Sequence, residues 1–271
     1  MEASITALPA PAGAVARVRR GIRRRGAAGL VREAVTRPLR PALAPLAARR
    51  LTRAAHGVDS VDEVMDLAFG FDAFGITIAP GQRPWEFRQL LDEVAWRRPR
   101  RILEIGTATG GSLFSFCRLA APDALVISID LPDGEFGGGY PSWKTRLYEA
   151  FSGPRQQLAL IRGDSHDPAA LITTRALLGD EPLDFLFIDG DHTYDGVRQD
   201  FETFAPLVRP GGLIGFHDVA EPRGDGPPAD GNRYLVGEVP CFWAEVRERH
   251  GGREWIDPDG GGCFGIGVIE A

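Results

Sequence analysis

Apolar positions along the chain follow two periods, and the changes between them outline the fold. Short apolar runs predict buried strands at Arg101–Ile105, Ala124–Ile129, Leu158–Ile161, Leu183–Ile188 and Leu213–Phe216. Between and beyond these runs, apolar residues at helical spacing predict helices at 111–120, 142–151, 167–178 and 194–207. Strands that alternate with helices in this way indicate βαβ units. The predicted class is therefore α/β, with a doubly wound parallel sheet covered by helices on both faces.

The two ends of this region depart from the alternation. Helical spacing predicts two helices ahead of the first strand, at Val61–Phe69 and Pro84–Trp96. After the fifth strand, a helix is predicted at Val239–Arg249, followed by short strands near Trp255 and at Phe264–Ile269. Glycine-rich turns separate these last strands, so we expect them to join the sheet as antiparallel edge strands.

Residues 1–56 differ in charge from the rest of the chain. They contain 12 arginines and two acids, a net charge of +10, within a chain whose net charge is −6. Residues 57–271 hold the other 19 basic and 35 acidic side chains, a net charge of −16. This split predicts a basic arm over residues 1–56 and one folded domain over residues 57–271.

Two interpretations of the arm stay open. One is a poorly ordered tail broken by Pro38, Pro41 and Pro45. The other is a surface helix that binds anionic lipid through its arginines and the leucines at positions 39, 43, 46 and 51. The arm contains no aromatic residue on which a base could stack, so nucleic acid is not expected as a partner.

Cysteine content and hydropathy limit the compartment. Cys117, Cys241 and Cys263 form no C-x-x-C pair, which argues against a disulfide scaffold and against a zinc cluster. No apolar run approaches the roughly 20 residues that span a bilayer. We therefore expect a cytoplasmic protein, with peripheral contact to the inner face of the membrane if the arm binds lipid. A homo-oligomer is a further expectation that nothing in the sequence specifies.

The turn after the first strand has the composition of a ligand-binding turn. Its glycines at 106, 110 and 111 let the backbone turn tightly, and the helix that follows offers unpaired N–H groups. The spacing is G-x-x-x-G-G, so the dinucleotide fingerprint G-x-G-x-x-G is absent. Asp130 ends the second strand, where a carboxylate can accept both ribose hydroxyls, and Asp164 with Ser165 follows the third, where an adenine edge would lie. The simpler alternative is that Asp130 and Asp164 are turn residues.

Acids and histidines follow the next two strands. Asp189, Asp191 and His192 come after the fourth strand, and His217 with Asp218 ends the fifth. The carboxyl ends of parallel strands meet at one edge of a sheet, so we expect these side chains to share a cleft. Such a set suits proton abstraction by an imidazole, or a divalent cation. The alternatives are that Asp191 caps a helix and that His192 and His217 are structural; His166 is interpreted as a turn residue.

Four stretches carry a resemblance to a known family: Glu104–Ser112, Phe136–Tyr140, Phe187–Tyr194 and Arg209–Asp218. Glu104–Ser112 resembles motif I of class I S-adenosylmethionine-dependent methyltransferases, in its catechol O-methyltransferase-like form. With the other three, it resembles a bacterial group that includes cephalosporin hydroxylase-like and macrolide sugar O-methyltransferase proteins. The resemblance covers about residues 80–271. It implies a Rossmann-like, seven-stranded, mostly parallel sheet with an antiparallel C-terminal strand.

The resemblance also implies roles for individual residues. The implied S-adenosyl-L-methionine site consists of Glu104, Gly106, Thr107, Gly110, Ser112, Asp130, Asp164, Ser165 and Asp189. The implied catalytic residues are His192, as the base, and Asp191. The implied metal ligands are Asp189, His217 and Asp218, for Mg²⁺ or Mn²⁺. His217 stands where the family has a carboxylate, which makes Mg²⁺ less certain, because Mg²⁺ prefers oxygen ligands.

The expected function is O-methylation of a hydroxyl on a sugar, a glycan or a small natural product. Two alternatives stay open. An iron-dependent hydroxylase could use two histidines and one carboxylate from the same residues, although it has no evident need for the complete cofactor turn. A non-catalytic partner could keep the fold alone, but a retained base and ligand set argues against it.

Overall fold

The computed structural model describes residues 36–132, 139–220, 237–259 and 264–271. Residues 1–35 of the basic arm, the Phe136–Gly138 part of the second resembling stretch and Cys263 lie outside these ranges. Within the described ranges, no helix is long and apolar enough to cross a membrane.

A seven-stranded sheet forms the centre of the domain, and a separate two-stranded hairpin precedes it. The hairpin strands are β1 (Asp72–Ala73) and β2 (Ile76–Thr77). The sheet strands are β3 (Arg101–Ile105), β4 (Leu125–Asp130), β5 (Gln157–Arg162), β6 (Leu183–Ile188), β7 (Val208–His217), β8 (Arg253–Trp255) and β9 (Ile266–Glu270). Their order across the sheet is β5-β4-β3-β6-β7-β9-β8. Strands β3 to β7 are parallel, whereas β9 pairs antiparallel with both β7 and β8. The predicted class and the antiparallel C-terminal strands are confirmed.

Helices cover both faces of this sheet. They are α1 (Arg40–Ala54), α2 (Val61–Gly70), α3 (Pro84–Arg97), α4 (Gly111–Leu119), α5 (Thr145–Tyr148), α6 (Pro168–Leu178), α7 (Tyr194–Phe204) and α8 (Val239–His250). Short 3₁₀ turns occur at Arg37–Leu39, Ser142–Lys144 and Ala205–Leu207. One apolar core lies between one face of the sheet and helices α2, α3 and α4. A second core lies between the opposite face and helices α7 and α8.

Strand β3 is the point at which the strand order reverses. The chain leaves β3 to form β4 on one side and later returns to form β6 on the other, so β3 has parallel neighbours on both sides. The connections that follow β3 and β6 therefore diverge and leave a crevice above their carboxyl ends. In doubly wound sheets this crevice is where ligands bind.

The prolines of the arm do not break its last helix. Pro41 lies in the first turn of α1, where a proline costs no hydrogen bond, and Pro45 is accommodated inside the helix. Leu51 and Ala47 are fully buried in the first core, whereas Leu39 and Leu46 are about half exposed. Leu51 therefore packs on the domain and is not available to a lipid surface. The division of the chain at residue 56 stays a prediction, but α1 is packed as part of the folded unit.

Two elements differ from the sequence prediction. The helix predicted at 142–151 is a 3₁₀ turn followed by the single turn α5, because Tyr148 and Phe151 turn into the core beneath the first ligand-binding turn. The last strand begins at Ile266 and not at Phe264, because Phe264 and Gly265 have φ of +71° and +82°. These left-handed conformations are incompatible with a strand.

Candidate active site

A cavity of about 520 Å³ opens at the carboxyl ends of β3 to β7, in the crevice described above. Eleven of the thirteen site residues expected from the sequence line it: Gly106, Thr107, Ser112, Asp130, Asp164, Ser165, Asp189, Asp191, His192, His217 and Asp218. Glu104 and Gly110 lie behind the wall. Residues that were expected to form one site thus lie at one cavity, and the geometry shows what each side chain contacts.

Glycine is required at two positions of the turn after β3. Gly106 has φ of +89°, and a Cβ there would lie 1.9 Å from the carbonyl oxygen of Asp189. Gly110 has φ of +97° and is the N-cap of α4, where a Cβ would lie 2.7 Å from the ring of Tyr148. Any side chain at position 106 would push apart the ends of β3 and β6. The turn is therefore fixed from both sides.

Glu104 supports this turn from below. Its side chain is fully buried, and its Oε2 accepts a 2.9 Å hydrogen bond from the hydroxyl of Thr107. Thr107 also bonds to the hydroxyl of Ser128 on β4. Burial raises the pKa of Glu104 to about 8, against the lowering effect of the Ser112 and Thr107 hydroxyls. At neutral pH this carboxyl group is therefore mostly protonated and acts as a structural element behind the wall.

Asp130 lies at the end of β4, with its carboxylate at the cavity. One oxygen accepts from the backbone N–H of Ala108 and the other from that of Gly139, both at 3.0 Å. Burial raises its pKa to about 6, although these backbone hydrogen bonds oppose the shift. Each carboxylate oxygen can accept more than one hydrogen bond, so both can still receive hydroxyl groups from a ligand.

The turn after β5 forms the wall beyond Asp130. Oδ1 of Asp164 accepts from the backbone N–H of His166 at 2.9 Å, so Asp164 does have the turn role that was the simpler alternative. Ser165 and His166 line the cavity beside it. The histidine ring is held by Asp200 of α7, a contact that the sequence interpretation of His166 as a turn residue did not include.

Acidic and imidazole groups cluster at the ends of β6 and β7. Nδ1 of His217 lies 2.9 Å from Oδ1 of Asp189 and 3.3 Å from Oδ2 of Asp218. These two carboxylates, with their hydrogen bonds, raise the pKa of His217 well above its usual range, although complete burial acts in the opposite direction. The His217 ring therefore lies between two acids.

His192 lies on the other side of the same acids. Its Nδ1 is 3.4 Å from Oδ2 of Asp218, and its Nε2 is 3.9 Å from Oδ1 of Asp189. Among the described residues, Asp189, His192 and Asp218 bring one ligand atom each within 4.8 Å of the others. The set differs from the expected Asp189, His217 and Asp218, because Nδ1 of His217 is directed at the carboxylates. It contains one imidazole, so it does not favour the two-histidine iron centre.

Asp191 has mainly a structural position. Its Oδ1 accepts from the backbone N–H of Thr193 at 2.8 Å, and a Cβ at Gly196 would overlap its carboxyl group. The hydroxyl of Thr193 in turn caps α7 by accepting from Gly196. Asp191 lines the cavity, and its contacts are with the turn before α7; the helix cap itself is Thr193 and not Asp191.

Sequence reasoning missed two residues of the wall. Gln82, in the segment before α3, is 5% exposed and donates from Nε2 to Oδ2 of Asp189 at 2.5 Å. Phe264 stacks on the ring of His217, with 5.7 Å between ring centroids. Neither lies at the end of a parallel strand, so the positional rule that located the acids could not locate them. The positive φ of Phe264 is a signal that only the structure provides.

Comparison with known proteins shows which proteins this domain resembles. A family model described as a methyltransferase domain matches residues 103–219. The O-methyltransferase of Bacillus cereus, solved with S-adenosylhomocysteine, superimposes with a TM-score of 0.53 at 20% identity, over 81% of this chain and 96% of that one. Residues 103–219 are thus similar to methyltransferase domains, and the chain shares the fold of the Bacillus cereus enzyme.

Two curated relatives match shorter stretches. An uncharacterized protein of Sinorhizobium fredii is 32% identical over 131 residues, which is 45% of this chain and 13% of the relative. The demethylmacrocin O-methyltransferase of Streptomyces fradiae is 38% identical over 64 residues, 24% of this chain and 16% of the relative. The chain therefore spans only a small part of the length of both relatives.

Proposed function

We propose that the protein transfers a methyl group from S-adenosylmethionine to a hydroxyl group of a sugar, a glycan or a small natural product. The observation that carries the proposal is the arrangement of one cavity. Its wall has a carboxylate and a polar turn at the ends of β4 and β5, and a histidine between two carboxylates at the ends of β6 and β7. The first part suits an adenosine, and the second suits removal of a proton.

The donor would lie along the ends of β3 to β5. Asp130 would accept the ribose hydroxyls, and the turn of Asp164 and Ser165 would face the adenine. The methionine end would lie at Gly106, Thr107 and Ser112, where the N-terminus of α4 favours a carboxylate. When bound, S-adenosylmethionine supplies an electrophilic methyl group whose transfer breaks the carbon–sulfur bond and leaves S-adenosylhomocysteine.

His192 would take the proton of the acceptor hydroxyl as the new oxygen–carbon bond forms. Oδ2 of Asp218, 3.4 Å from its Nδ1, would stabilise the imidazolium that results. Gln82 and His217 fix the Asp189 carboxylate, the second acid beside His192. These contacts orient the imidazole, and alignment of acceptor with donor accounts for much of the rate.

The same acids would also fit a divalent cation. Oδ1 of Asp218 and Nε2 of His217 are buried without a hydrogen-bond partner among the described residues, so the cluster keeps unused ligand atoms. Mg²⁺ or Mn²⁺ held by Asp189 and Asp218 would lower the pKa of the acceptor hydroxyl. His192 cannot hold a cation and accept the proton with the same nitrogen, so a metal requirement and a histidine base are tested separately.

The acceptor class rests on weaker support. One relative is the demethylmacrocin O-methyltransferase of Streptomyces fradiae, which matches 24% of this chain. The sequence resemblance to sugar O-methyltransferases points in the same direction. A panel of sugars, glycans and hydroxylated natural products, assayed with labelled S-adenosylmethionine, would identify the acceptor by the appearance of a labelled O-methyl group.

Calorimetry with S-adenosylhomocysteine tests the donor site directly. We expect binding by the wild-type protein and a loss of roughly 100-fold or more for Asp130→Ala, since hydrogen bonds to a charged group contribute about 1.5–3 kcal/mol each. Asp123→Ala is the matched control, because Asp123 lies in the turn before β4, the strand that ends at Asp130, and its side chain is partly exposed. Absence of binding by the wild-type protein, or equal binding by Asp130→Ala, would contradict the proposal.

A further inference from the structure

Asp200 is a buried carboxylate to which the proposed reaction assigns no role. It lies in the middle of α7, and its side chain is fully buried. A single charge in a protein interior is strongly unfavourable unless it is paired. Burial accordingly raises the pKa of Asp200, and hydrogen bonds from His166 and Ser165 act against this shift.

His166 is the partner that Asp200 meets across the interior. Nε2 of His166 lies 3.3 Å from Oδ1 of Asp200 and 3.2 Å from the carbonyl oxygen of Gly196. The hydrogen bond with Asp200 is the main reason that the pKa of His166 is raised to about 9. The imidazole is therefore charged at neutral pH and pairs helix α7 with the turn after β5.

The same imidazole is also held within its own turn. Its Nδ1 lies 3.8 Å from Oδ1 of Asp164, which accepts from the backbone N–H of His166. His166 is thus held between one acid of the turn and one acid of α7. Asp164, Ser165 and His166 all line the cavity, so the pair fixes three consecutive residues of its wall.

Asp200 also lies beneath the loop that follows β6. A Cβ at Gly190 would lie 3.4 Å from Oδ2 of Asp200, so the carboxylate packs between the two loops that border this end of the cavity. A buried charge in this place fixes the position of the turn relative to α7. An apolar side chain would fill the same space without specifying that position.

We propose that Asp200 is a positioning residue for the methyl donor, which holds His166 so that the turn after β5 is set to receive the adenine. The inference rests on the proposed function, because it assigns the adenine to this turn. Asp200 acts through another residue and does not itself line the cavity. Its removal is therefore expected to weaken donor binding and to leave the proton-transfer group, His192, in place.

The first experiment measures S-adenosylhomocysteine affinity by calorimetry for Asp200→Asn and for Asp195→Asn. Asp195 lies on the same helix with an exposed side chain, so the control makes the same chemical change away from the cavity. We expect about tenfold weaker binding for Asp200→Asn, the effect of one buried charged hydrogen bond, and unchanged binding for the control. With saturating donor, kcat is expected to stay within about twofold of wild type, so that the effect appears in the donor KM.

A purely structural role would not affect recognition of the base. Affinity is therefore also measured for S-inosylhomocysteine, which differs from S-adenosylhomocysteine only at the purine edge. Wild-type protein is expected to prefer the adenosine compound, and Asp200→Asn is expected to lose most of that preference. An unchanged preference would overturn the proposal even if overall affinity fell.

A second variant keeps the proposal testable if Asp200→Asn does not fold. Asp200→Asn leaves His166 charged, whereas the double variant Asp200→Asn/His166→Gln removes both charges together and leaves no uncompensated ion. If the pair acts as a unit, the double variant will bind S-adenosylhomocysteine about as weakly as either single variant. Wild-type affinity in the double variant would overturn the inference alone. No binding by the wild-type protein would overturn it together with the proposed function.

Discussion

The side-chain amide of Gln82 and the carboxylate of Asp189 form a 2.5 Å hydrogen bond between two segments that are 107 residues apart in the chain. The other oxygen of Asp189 accepts from Nδ1 of His217 at 2.9 Å. Both oxygens of Asp189 are therefore fixed before any ligand binds. The segment before α3, which contributes no strand to the main sheet, helps to orient the acid that ends β6.

Replacement of Gln82 by Met tests this contact. Methionine keeps the length of the side chain but donates no hydrogen bond, so Asp189 would lose one of its two fixed contacts. We expect kcat to fall about tenfold, the equivalent of roughly 1.4 kcal/mol for one charged hydrogen bond. Gln89→Met, in α3, is the matched control because Gln89 does not line the cavity. Wild-type kcat in Gln82→Met would show that the contact has no catalytic consequence.

Removal of the proposed base gives a larger effect. His192→Gln keeps a polar side chain of similar size but cannot accept the proton. We expect kcat to fall by about 10²–10⁴, the usual contribution of general base catalysis. Affinity for S-adenosylhomocysteine, measured by calorimetry, should stay near wild type because the adenosine end of the cavity is unaltered. A small loss of kcat in His192→Gln, together with activity that a chelator abolishes, would instead indicate a metal-assisted reaction.

Donor binding should depend on pH through Asp130. The pKa of this carboxyl is raised to about 6 by burial, and ribose hydroxyls are bound best by the ionised form. Affinity for S-adenosylhomocysteine should therefore be constant above pH 7 and fall about tenfold per pH unit below the pKa. Calorimetry between pH 5 and pH 8 measures the profile. Asp130→Asn, which has no proton to lose, should bind more weakly and lack this dependence.

Glu104 should make the stability of the fold depend on pH, and in the opposite direction: stability should fall as the pH rises. Its folded-state pKa of about 8 lies above the 4.5 of an unperturbed glutamate, so folding favours the protonated form. The contribution is complete below pH 4.5 and is lost as the pH rises towards 8, by about 1.4 kcal/mol per pH unit. Denaturant unfolding of wild type and Glu104→Gln across this range should show the slope in the wild type alone. Parallel profiles would place the titration elsewhere.

The basic arm supports a separate proposal, peripheral contact with anionic membranes. Leu39 and Leu46 are exposed on the turn and helix that end the arm, among its arginines. Flotation of the full chain with vesicles that contain anionic lipid should exceed flotation of a chain that lacks residues 1–35. The truncation keeps α1, which packs on the domain. Equal flotation of the two chains would show that residues 1–35 do not contribute to the contact, and flotation of neither chain would contradict the proposal.

The positions that follow a simple rule were predictable from the sequence. Strand β3 matched its prediction because a short apolar run has one period and one place in a buried sheet. Asp130, Asp189 and Asp218 were placed at one cavity because each follows a parallel strand. The helix predicted at 142–151 was correct only over residues 142–148, which form a 3₁₀ turn and α5, and Tyr148 and Phe151 pack into the core. No local pattern separates such residues from an ordinary amphipathic helix.

The contacts between distant segments could not be predicted. Gln82 meets Asp189, and His166 meets Asp200, only because the sheet brings separate connections together. No pattern of apolar and polar positions in the sequence indicates either of these contacts. His217 illustrates the same limit, since its place in the chain suggested a metal ligand. The structure instead directs its Nδ1 at two neighbouring acids, a choice that depends on side-chain orientation.

The missing side chain at Gly106 has a consequence for attempts to change the acceptor. Because the backbone of Gly106 lies directly against the carbonyl group of Asp189, we expect that the proposed donor turn and the loop with the proposed base cannot be exchanged independently. A chimera that takes the β6 loop from another methyltransferase would need the β3 turn of the same parent. Acceptor range is therefore better altered from the side of Gln82 and Phe264, where side chains rather than backbone atoms form the wall.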